Sequence, residues 1–138
     1  MANKNTKLTI GRLAIAGGVS IPTIRYYQRR GLLDQPHRPV HGGFRVYDDA
    51  DIARVLQIRE TQRLGFTLAE IGILLGHLQQ RECKPIKALL DAKHAQLVAQ
   101  LNEIKRAQKR VAELNDACRG NCIGDCKLVN KLNERSAK

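Results

Sequence analysis

Three of the four cysteines of this 138-residue chain stand four residues apart, in the segment CRGNCIGDC at residues 118–126. The segment is polar, and its two glycines, together with Asn121 and Asp125, favour tight turns over a helix. Two sulfurs bound to one metal ion, each at about 2.3 Å, lie no more than about 4.6 Å apart. A helix would hold Cys118 and Cys126 about 12 Å apart, so the two could bind one ion only if the segment is a loop.

Three chemical interpretations of these thiols compete. Soft thiolates bind Hg(II), Cd(II), Pb(II), Zn(II) and Cu(I) in preference to hard cations, and this favours a metal site. A redox disulfide or an iron–sulfur cluster is an alternative, although the spacing C-x3-C-x3-C lacks the usual C-x-x-C. Simple packing of the thiols is a third, disfavoured by their polar neighbours. The remaining cysteine, Cys83, lies in the polar stretch RECKP, and a structural zinc site that uses all four cysteines would leave the C-terminal segment unfolded without metal.

The charge balance indicates a polyanionic partner. Lys and Arg number 24 against 13 Asp and Glu, which gives a formal net charge of +11. When basic side chains neutralise the phosphates of a nucleic acid, the release of its counterions contributes to the binding affinity. The sequence shows neither a signal peptide nor a membrane span, so we expect the protein to be cytoplasmic. In that reducing compartment cysteines more often bind metals than form disulfides. It contains no carboxylate pair, nucleophile–base arrangement or phosphate-binding loop, and we expect no enzyme.

The N-terminal part predicts a helix-turn-helix. Apolar spacing favours a helix over residues 8–16, which the pair Gly17–Gly18 ends. Ser20 then caps a second, arginine-rich helix that closes at Gly31. A helix, a glycine-containing turn and an arginine-rich helix are typical of DNA-binding domains of this kind.

Beyond the second helix the pattern predicts a wing and two more helices. Prolines and glycines mark turns, and residues 44–47 are expected to form a short strand of a small hairpin. The two helices are predicted over about residues 49–64 and 68–78, capped by Asp48 or Asp49 and by Thr67.

The last long element is a helix predicted to begin after Pro85. Residues that step by four and three along it form a heptad-like seam, made of Leu90, His94, Leu97, Leu101, Ile104, Gln108 and Val111. A helix of about 30 residues is about 45 Å long, and too little chain remains to bury this seam. We therefore expect the helix to pair with a second copy of itself; the alternative is a helix packed back on the N-terminal domain.

These motifs together resemble the MerR family of bacterial metal- and stress-responsive regulators. The resemblance is carried by LTIGRLAIAGGVSIPTIRYYQRRGLL and GGFRVYDDADIARVLQIRETQRLGFTLAEI, and YQRRGLL and QRLGF are most similar to the mercuric-ion branch. It implies a mainly α fold with a winged helix-turn-helix DNA-binding domain over residues 1–80. A dimerisation helix in an antiparallel coiled coil follows over residues 81–117, and a metal-binding loop with a short C-terminal helix over residues 118–138.

The resemblance further implies a homodimer bound to double-stranded promoter DNA, with RNA polymerase as a partner and no membrane. Effector binding would distort the DNA and turn repression into activation. Matched position by position, the implied DNA contacts are Thr23, Arg25, Tyr26, Arg29, Arg45 and Tyr47. Arginine suits guanine edges and phosphates, and tyrosine hydroxyls suit the DNA backbone. One of Tyr26 and Tyr27 must face the core, because adjacent helical residues point about 100° apart.

The resemblance also implies a metal-ligand set. In an antiparallel pair, Cys83 of one chain would lie beside Cys118 and Cys126 of its partner, as in the mercuric branch, which gives two sites per dimer. The spacing from Cys118 to Cys126 is nearer to that of the family's monovalent-copper members, which lack a cysteine at the position of Cys83. Cys122 has no counterpart in the mercuric pattern and could replace either loop ligand, make a fourth ligand or take no part in binding. Three thiolates leave one negative charge on a divalent ion and two on a monovalent ion, so we expect Hg(II) first, then Cd(II) or Pb(II), then Zn(II), then Cu(I).

Overall fold

The structure, a computed structural model, describes residues 7–118, residue 120 and residues 126–134. The helices of this described part are α1 (Ile10–Gly17), α2 (Ile21–Arg29), α3 (Asp49–Arg63), α4 (Leu68–Gln80), α5 (Cys83–Ala117) and α6 (Lys127–Asn133). The chain divides into two compact units, Met1–Leu90 and Asp91–Lys138. Across the described ranges, no helix is both long enough and apolar enough to cross a membrane.

Capping residues set both ends of α1 and the start of α2. Thr9 caps α1 by accepting the backbone N–H of Arg12 at 3.3 Å, and Gly18 ends it in the left-handed conformation with φ +64°. Ser20 caps α2 through its hydroxyl, which accepts the N–H of Thr23 at 3.2 Å. The predicted helix-turn-helix is confirmed, with α2 as its second helix.

The core of the first unit is mainly aliphatic, with Tyr27, Tyr47 and Phe66 as its aromatic members, and lies among α1, α2, α3 and α4. The side chains without solvent exposure are Leu13, Ile24, Val55, Ile58 and Ile71. Tyr27 is 3% exposed, and its hydroxyl donates to Gln62 Oε1 at 3.0 Å. Burial raises the pKa of the Tyr27 hydroxyl, and the charge of Arg59 opposes this rise. Tyr27 is therefore the member of the tyrosine pair that faces the core, and Tyr26 is 42% exposed.

The wing differs from the predicted hairpin. Tyr47 and Leu8 form a single antiparallel bridge, with N–H to O distances of 2.8 and 2.9 Å, and it is the one β pairing within the described residues. The strand predicted over residues 44–47 is thus wrong in extent and in partner. A turn closed by the Gly42 N–H on the carbonyl of Pro39 at 3.1 Å interrupts the chain before it. Tyr47 then pairs with the segment that enters α1, because that segment is extended and adjacent.

Capping boxes start the next two helices. Asp48 accepts the backbone N–H of Asp51 while the Asp51 carboxylate accepts that of Asp48, and Thr67 and Glu70 repeat the arrangement at α4. Burial raises the pKa of the Asp51 carboxyl, and the hydrogen bond from the Asp48 N–H opposes the rise. Both caps confirm the predicted helix starts.

Helix α5 begins at Cys83, earlier than predicted. Pro85 was expected to precede the helix, but it lies in its first turn, where the missing N–H has no intrahelical partner to lose. Arg81, which separates α4 from α5, is in the left-handed conformation with φ +57°. Its backbone N–H donates a hydrogen bond to the carbonyl of Leu78 at 3.2 Å. Cys83 is therefore a helix-start residue.

Gly17 sets the distance between α1 and α3, and it provides a test of this packing. A Cβ at Gly17 would lie 2.5 Å from Val55 Cγ1, and Val55 is fully buried. We expect Gly17→Ala to lower the free energy of unfolding by about 1–3 kcal/mol through overpacking. Urea denaturation at fixed protein concentration measures the change. Gly76→Ala is the control, because nothing lies within 4 Å of its Cβ and α4 should gain up to about 1 kcal/mol. Equal midpoints for both variants would contradict the packing argument.

Candidate functional site

Helix α2 presents a polar and aromatic face away from the core. Arg25, Tyr26 and Arg29 are exposed, and the Arg29 guanidinium carbon lies 5.7 Å from the centroid of the Tyr26 ring. This cation–π contact, which contributes about 0.5–1 kcal/mol at an exposed site, favours the placement of the two side chains beside each other on the outer surface. Thr23 is half-buried, and its hydroxyl lies 2.8 Å from the Ser20 hydroxyl in the first turn.

A groove separates α2 from the wing, and we call it the arginine groove. Its described lining residues are Thr9, Ile10, Arg25, Gln28, Gln35, Arg38, Gly43, Phe44, Arg45 and Tyr47. None of these residues is acidic, so three guanidinium groups border it without a carboxylate among them. Such a groove suits a phosphate group of a nucleic acid backbone.

Within the arginine groove, the two predicted wing residues differ in exposure. Arg45 is half-buried, and its Nε donates to the carbonyl of Pro36 at 2.8 Å, which leaves the terminal nitrogens of the guanidinium for a ligand. Tyr47 is only 2% exposed, and its hydroxyl accepts a hydrogen bond from Gln28 Nε2 at 3.0 Å. Any contact of Tyr47 with DNA must therefore pass through the hydroxyl, since the ring is packed in the core.

Arg38 is a groove residue that sequence reasoning missed. It lies outside the second helix and outside the Arg-x-Tyr pair formed by Arg45 and Tyr47, and the signal that could have found it is its charge in a glycine- and proline-rich loop. Phe44, which also borders the groove, is 81% exposed.

The described cysteines lie at helix ends and outside the core. Cys83 is exposed as the first residue of α5, and Cys118 is exposed directly after the last residue of that helix. The backbone N–H of Cys118 donates a hydrogen bond to the carbonyl of Leu114 at 3.1 Å. Cys126 is partly buried at the N-cap of α6. Cys122 lies outside the described residues. In the described part of one chain, no group of three or more His, Cys, Asp or Glu side chains is placed to hold a metal ion.

The predicted seam of α5 is open to solvent in the single chain. All seven seam residues are exposed, including apolar side chains such as Leu97 at 43%, Leu101 at 50% and Ile104 at 64%. An apolar stripe of this length on a charged helix is typical of a helix that pairs with another.

Two family models match the chain. The model of the MerR HTH family of regulatory proteins covers residues 8–78, and a MerR DNA-binding model covers residues 52–114. A mercuric resistance operon regulatory protein from Pseudomonas fluorescens is 38% identical over 135 residues, which covers 96% of this chain and 92% of that protein.

Solved structures show the same architecture. The lead(II) complex of the transcription regulator PbrR691 from Ralstonia metallidurans CH34 is 31% identical, with a TM-score of 0.76 and coverage of 91% of this chain and 98% of that chain. The mercury(II) complex of MerR from Bacillus megaterium MB1 is 31% identical, with a TM-score of 0.67 and the same coverage, 91% and 98%. These matches confirm the predicted mainly α fold, with a helix-turn-helix domain and a long helix.

Proposed function

The chain belongs to the MerR HTH family of regulatory proteins, and from that premise we propose that it is a homodimer that binds a metal-resistance promoter and switches it from repression to activation when a thiophilic metal ion binds. As a member of this family it is a transcription regulator and not an enzyme. The observation that carries the metal response is the placement of Cys83, Cys118 and Cys126 at helix ends, outside the core.

The proposed DNA-contacting residues are Thr23, Arg25, Tyr26, Arg29, Arg45 and Tyr47. Support comes from the exposed face of α2 and from the arginine groove, where Arg25 and Arg45 face a surface without acidic lining residues. The α2 residues are suited to base edges and the groove to phosphate. Tyr47 can contact DNA only through its hydroxyl, because its ring is buried.

The homodimer is proposed to form through α5. Its exposed seam gives each chain an apolar stripe that a second α5 would cover. In the antiparallel arrangement of the family, the first residues of one α5 lie beside the last residues of the other. The interface therefore brings the N-terminal end of one helix to the C-terminal end of its partner.

That arrangement is proposed to complete two metal sites per dimer. Cys83 and Cys118 of one chain lie at opposite ends of α5, which has 35 residues and therefore spans about 52 Å. They cannot bind the same ion, so Cys83 would act with Cys118 and Cys126 of the partner subunit. Thiolates select soft ions, and three of them leave a single negative charge on a divalent ion. We therefore propose Hg(II) as the effector, before Cd(II) or Pb(II), Zn(II) and Cu(I). Cys122 stays a candidate additional ligand.

The switch requires that metal binds one state of the dimer more tightly than another, since a ligand shifts an equilibrium only by its differential affinity. We propose that the metal-bound dimer distorts the promoter so that RNA polymerase can use it. A reducing cytoplasm would keep the thiols available for the ion.

One titration tests this function. The purified protein is bound to its promoter with RNA polymerase, and transcript is measured against buffered Hg(II), Cd(II), Pb(II), Zn(II) and Cu(I). We expect activation at the lowest free concentration with Hg(II). Failure of all five ions to raise transcription from an occupied operator would contradict the metal response, and a lower threshold for another ion would replace Hg(II).

The DNA-contacting face is tested with Arg25→Ala. Loss of one arginine contact in each half-site should weaken operator binding by roughly 5- to 150-fold at each, since a bidentate base contact contributes about 1–3 kcal/mol. Gel-shift or fluorescence titrations at several salt concentrations distinguish a base contact from a phosphate contact, because loss of a phosphate contact lowers the salt slope by about 1.

The matched control is Arg106→Ala, which removes the same charge from an exposed position of α5. We expect it to bind operator within about twofold of the parent, as surface substitutions away from the interface usually do. Equal affinities of the Arg25 and Arg106 variants at every salt concentration would remove Arg25 from the contact set.

A further inference from the structure

Arg110 joins the two helices of the second unit. Its Nη1 lies 3.1 Å from Glu113 Oε2, which orients the guanidinium. Its Nη2 donates to the carbonyl of Lys131 and, at 3.3 Å, to the carbonyl of Glu134. These two carbonyls stand at the C-terminal end of α6, where helix carbonyls have no intrahelical partner and where positive charge is favoured.

Helix α6 depends on such an anchor. It has seven residues, and isolated helices shorter than about 12–15 residues are marginal in water. Of its three apolar side chains, Leu128 is half-buried, whereas Val129 is 53% and Leu132 57% exposed. The contacts of Arg110 with two carbonyls are therefore a main restraint that holds α6 against the end of α5.

Helix α6 carries Cys126 at its N-cap, and α5 ends directly before Cys118. The eight chain steps between these two cysteines could span about 27 Å if extended, whereas a shared ion allows their sulfurs only about 4.6 Å. An anchored α6 raises the effective concentration of the Cys126 thiol near Cys118, because the helix then loses less conformational entropy when metal binds.

We propose that Arg110 is a positioning residue for the metal site, which fixes α6 so that Cys126 stands ready to bind the same ion as Cys118. This inference rests on the proposed function of the cysteines as metal ligands. Arg110 touches neither thiol in this role, and it acts through the backbone of α6. Residues that orient metal ligands from outside the site typically contribute 10–100-fold in metal affinity.

The test uses the full-length dimer with Cd(II) and Hg(II), competed against a chelator and a small dithiol respectively. We expect Arg110→Ala to bind metal 10–100-fold more weakly and to show a smaller thiolate-to-metal charge-transfer absorbance per bound ion. Arg110→Lys keeps the charge but lacks a second nitrogen that could contact Glu113 while the first reaches the carbonyls of α6, so we expect an intermediate loss. Arg106→Ala, which removes the same charge from an exposed site on α5, should match the parent.

Operator affinity without metal should be unchanged in the Arg110 variants, and far-ultraviolet circular dichroism should lose no more helical signal than the seven residues of α6 account for, which separates positioning from unfolding of the dimer. If Arg110→Ala does not form a folded dimer, Arg110→Lys decides, and parental affinity with parental absorbance in that variant would overturn the proposal. Parental metal binding by a folded Arg110→Ala dimer would overturn it too, while leaving the proposed function intact. A parent protein that binds neither ion would instead overturn the proposed function.

Discussion

Replacement of Cys126 by alanine is expected to abolish metal-induced activation while repression stays within about twofold of the parent, as for substitutions away from an interface. Structural zinc sites with four ligands have apparent binding free energies of about 10–16 kcal/mol, so one thiolate represents about 3 kcal/mol. That loss corresponds to more than about 100-fold in metal affinity. Repression should persist because the proposed DNA contacts all belong to the unit Met1–Leu90, whereas Cys126 belongs to Asp91–Lys138.

In vitro transcription from the promoter, with and without metal, measures both properties in one experiment. Cys122→Ala is the comparison variant, since it removes the other candidate thiol from the same segment CRGNCIGDC. Full induction of the Cys126 variant together with loss of induction in the Cys122 variant would assign the ligand role to Cys122. Loss of operator binding by the Cys126 variant without metal would show that the thiol has a structural role in the dimer.

The helix boundaries of the first unit could be predicted because their causes are local. Ser20 and Thr67 lie within three residues of the N–H groups that they accept, so a short stretch of sequence contains the whole interaction. The wing could not be predicted in this way. Tyr47 pairs with Leu8, far away in the chain, and a period-two pattern favours an extended conformation without specifying its partner.

In the candidate site, too, local sequence patterns predict some features, whereas contacts between residues distant in the chain decide others. The helical period requires one residue of the tyrosine pair to face inward, but the contact with Gln62, 35 residues away, shows that it is Tyr27. The carbonyls that Arg110 reaches lie 21 and 24 residues away, and no local pattern identifies them. The cysteine spacing favours a thiophilic metal site, and the proposed assembly of that site requires a second chain, which no pattern within one chain specifies.

A mixed dimer should recover a complete metal site from two defective chains. One chain carries Cys83→Ala and the other Cys126→Ala, and the two are purified through different tags. If ligands come from both chains, the intact Cys83 of the second chain meets the intact Cys118 and Cys126 of the first. The opposite site then lacks both a Cys83 and a Cys126. If all ligands came from one chain, neither chain would hold a complete set.

Each defective homodimer is the control, because it lacks a complete site under either arrangement. The central claim, a metal site shared between two chains, is tested most directly by the stoichiometry of Hg(II) bound to the mixed dimer. Excess dithiol in the buffer removes ions held by only two thiolates. The shared site predicts one tightly bound ion per mixed dimer and none in either control. Binding by the mixed dimer no tighter than binding by the controls would contradict it.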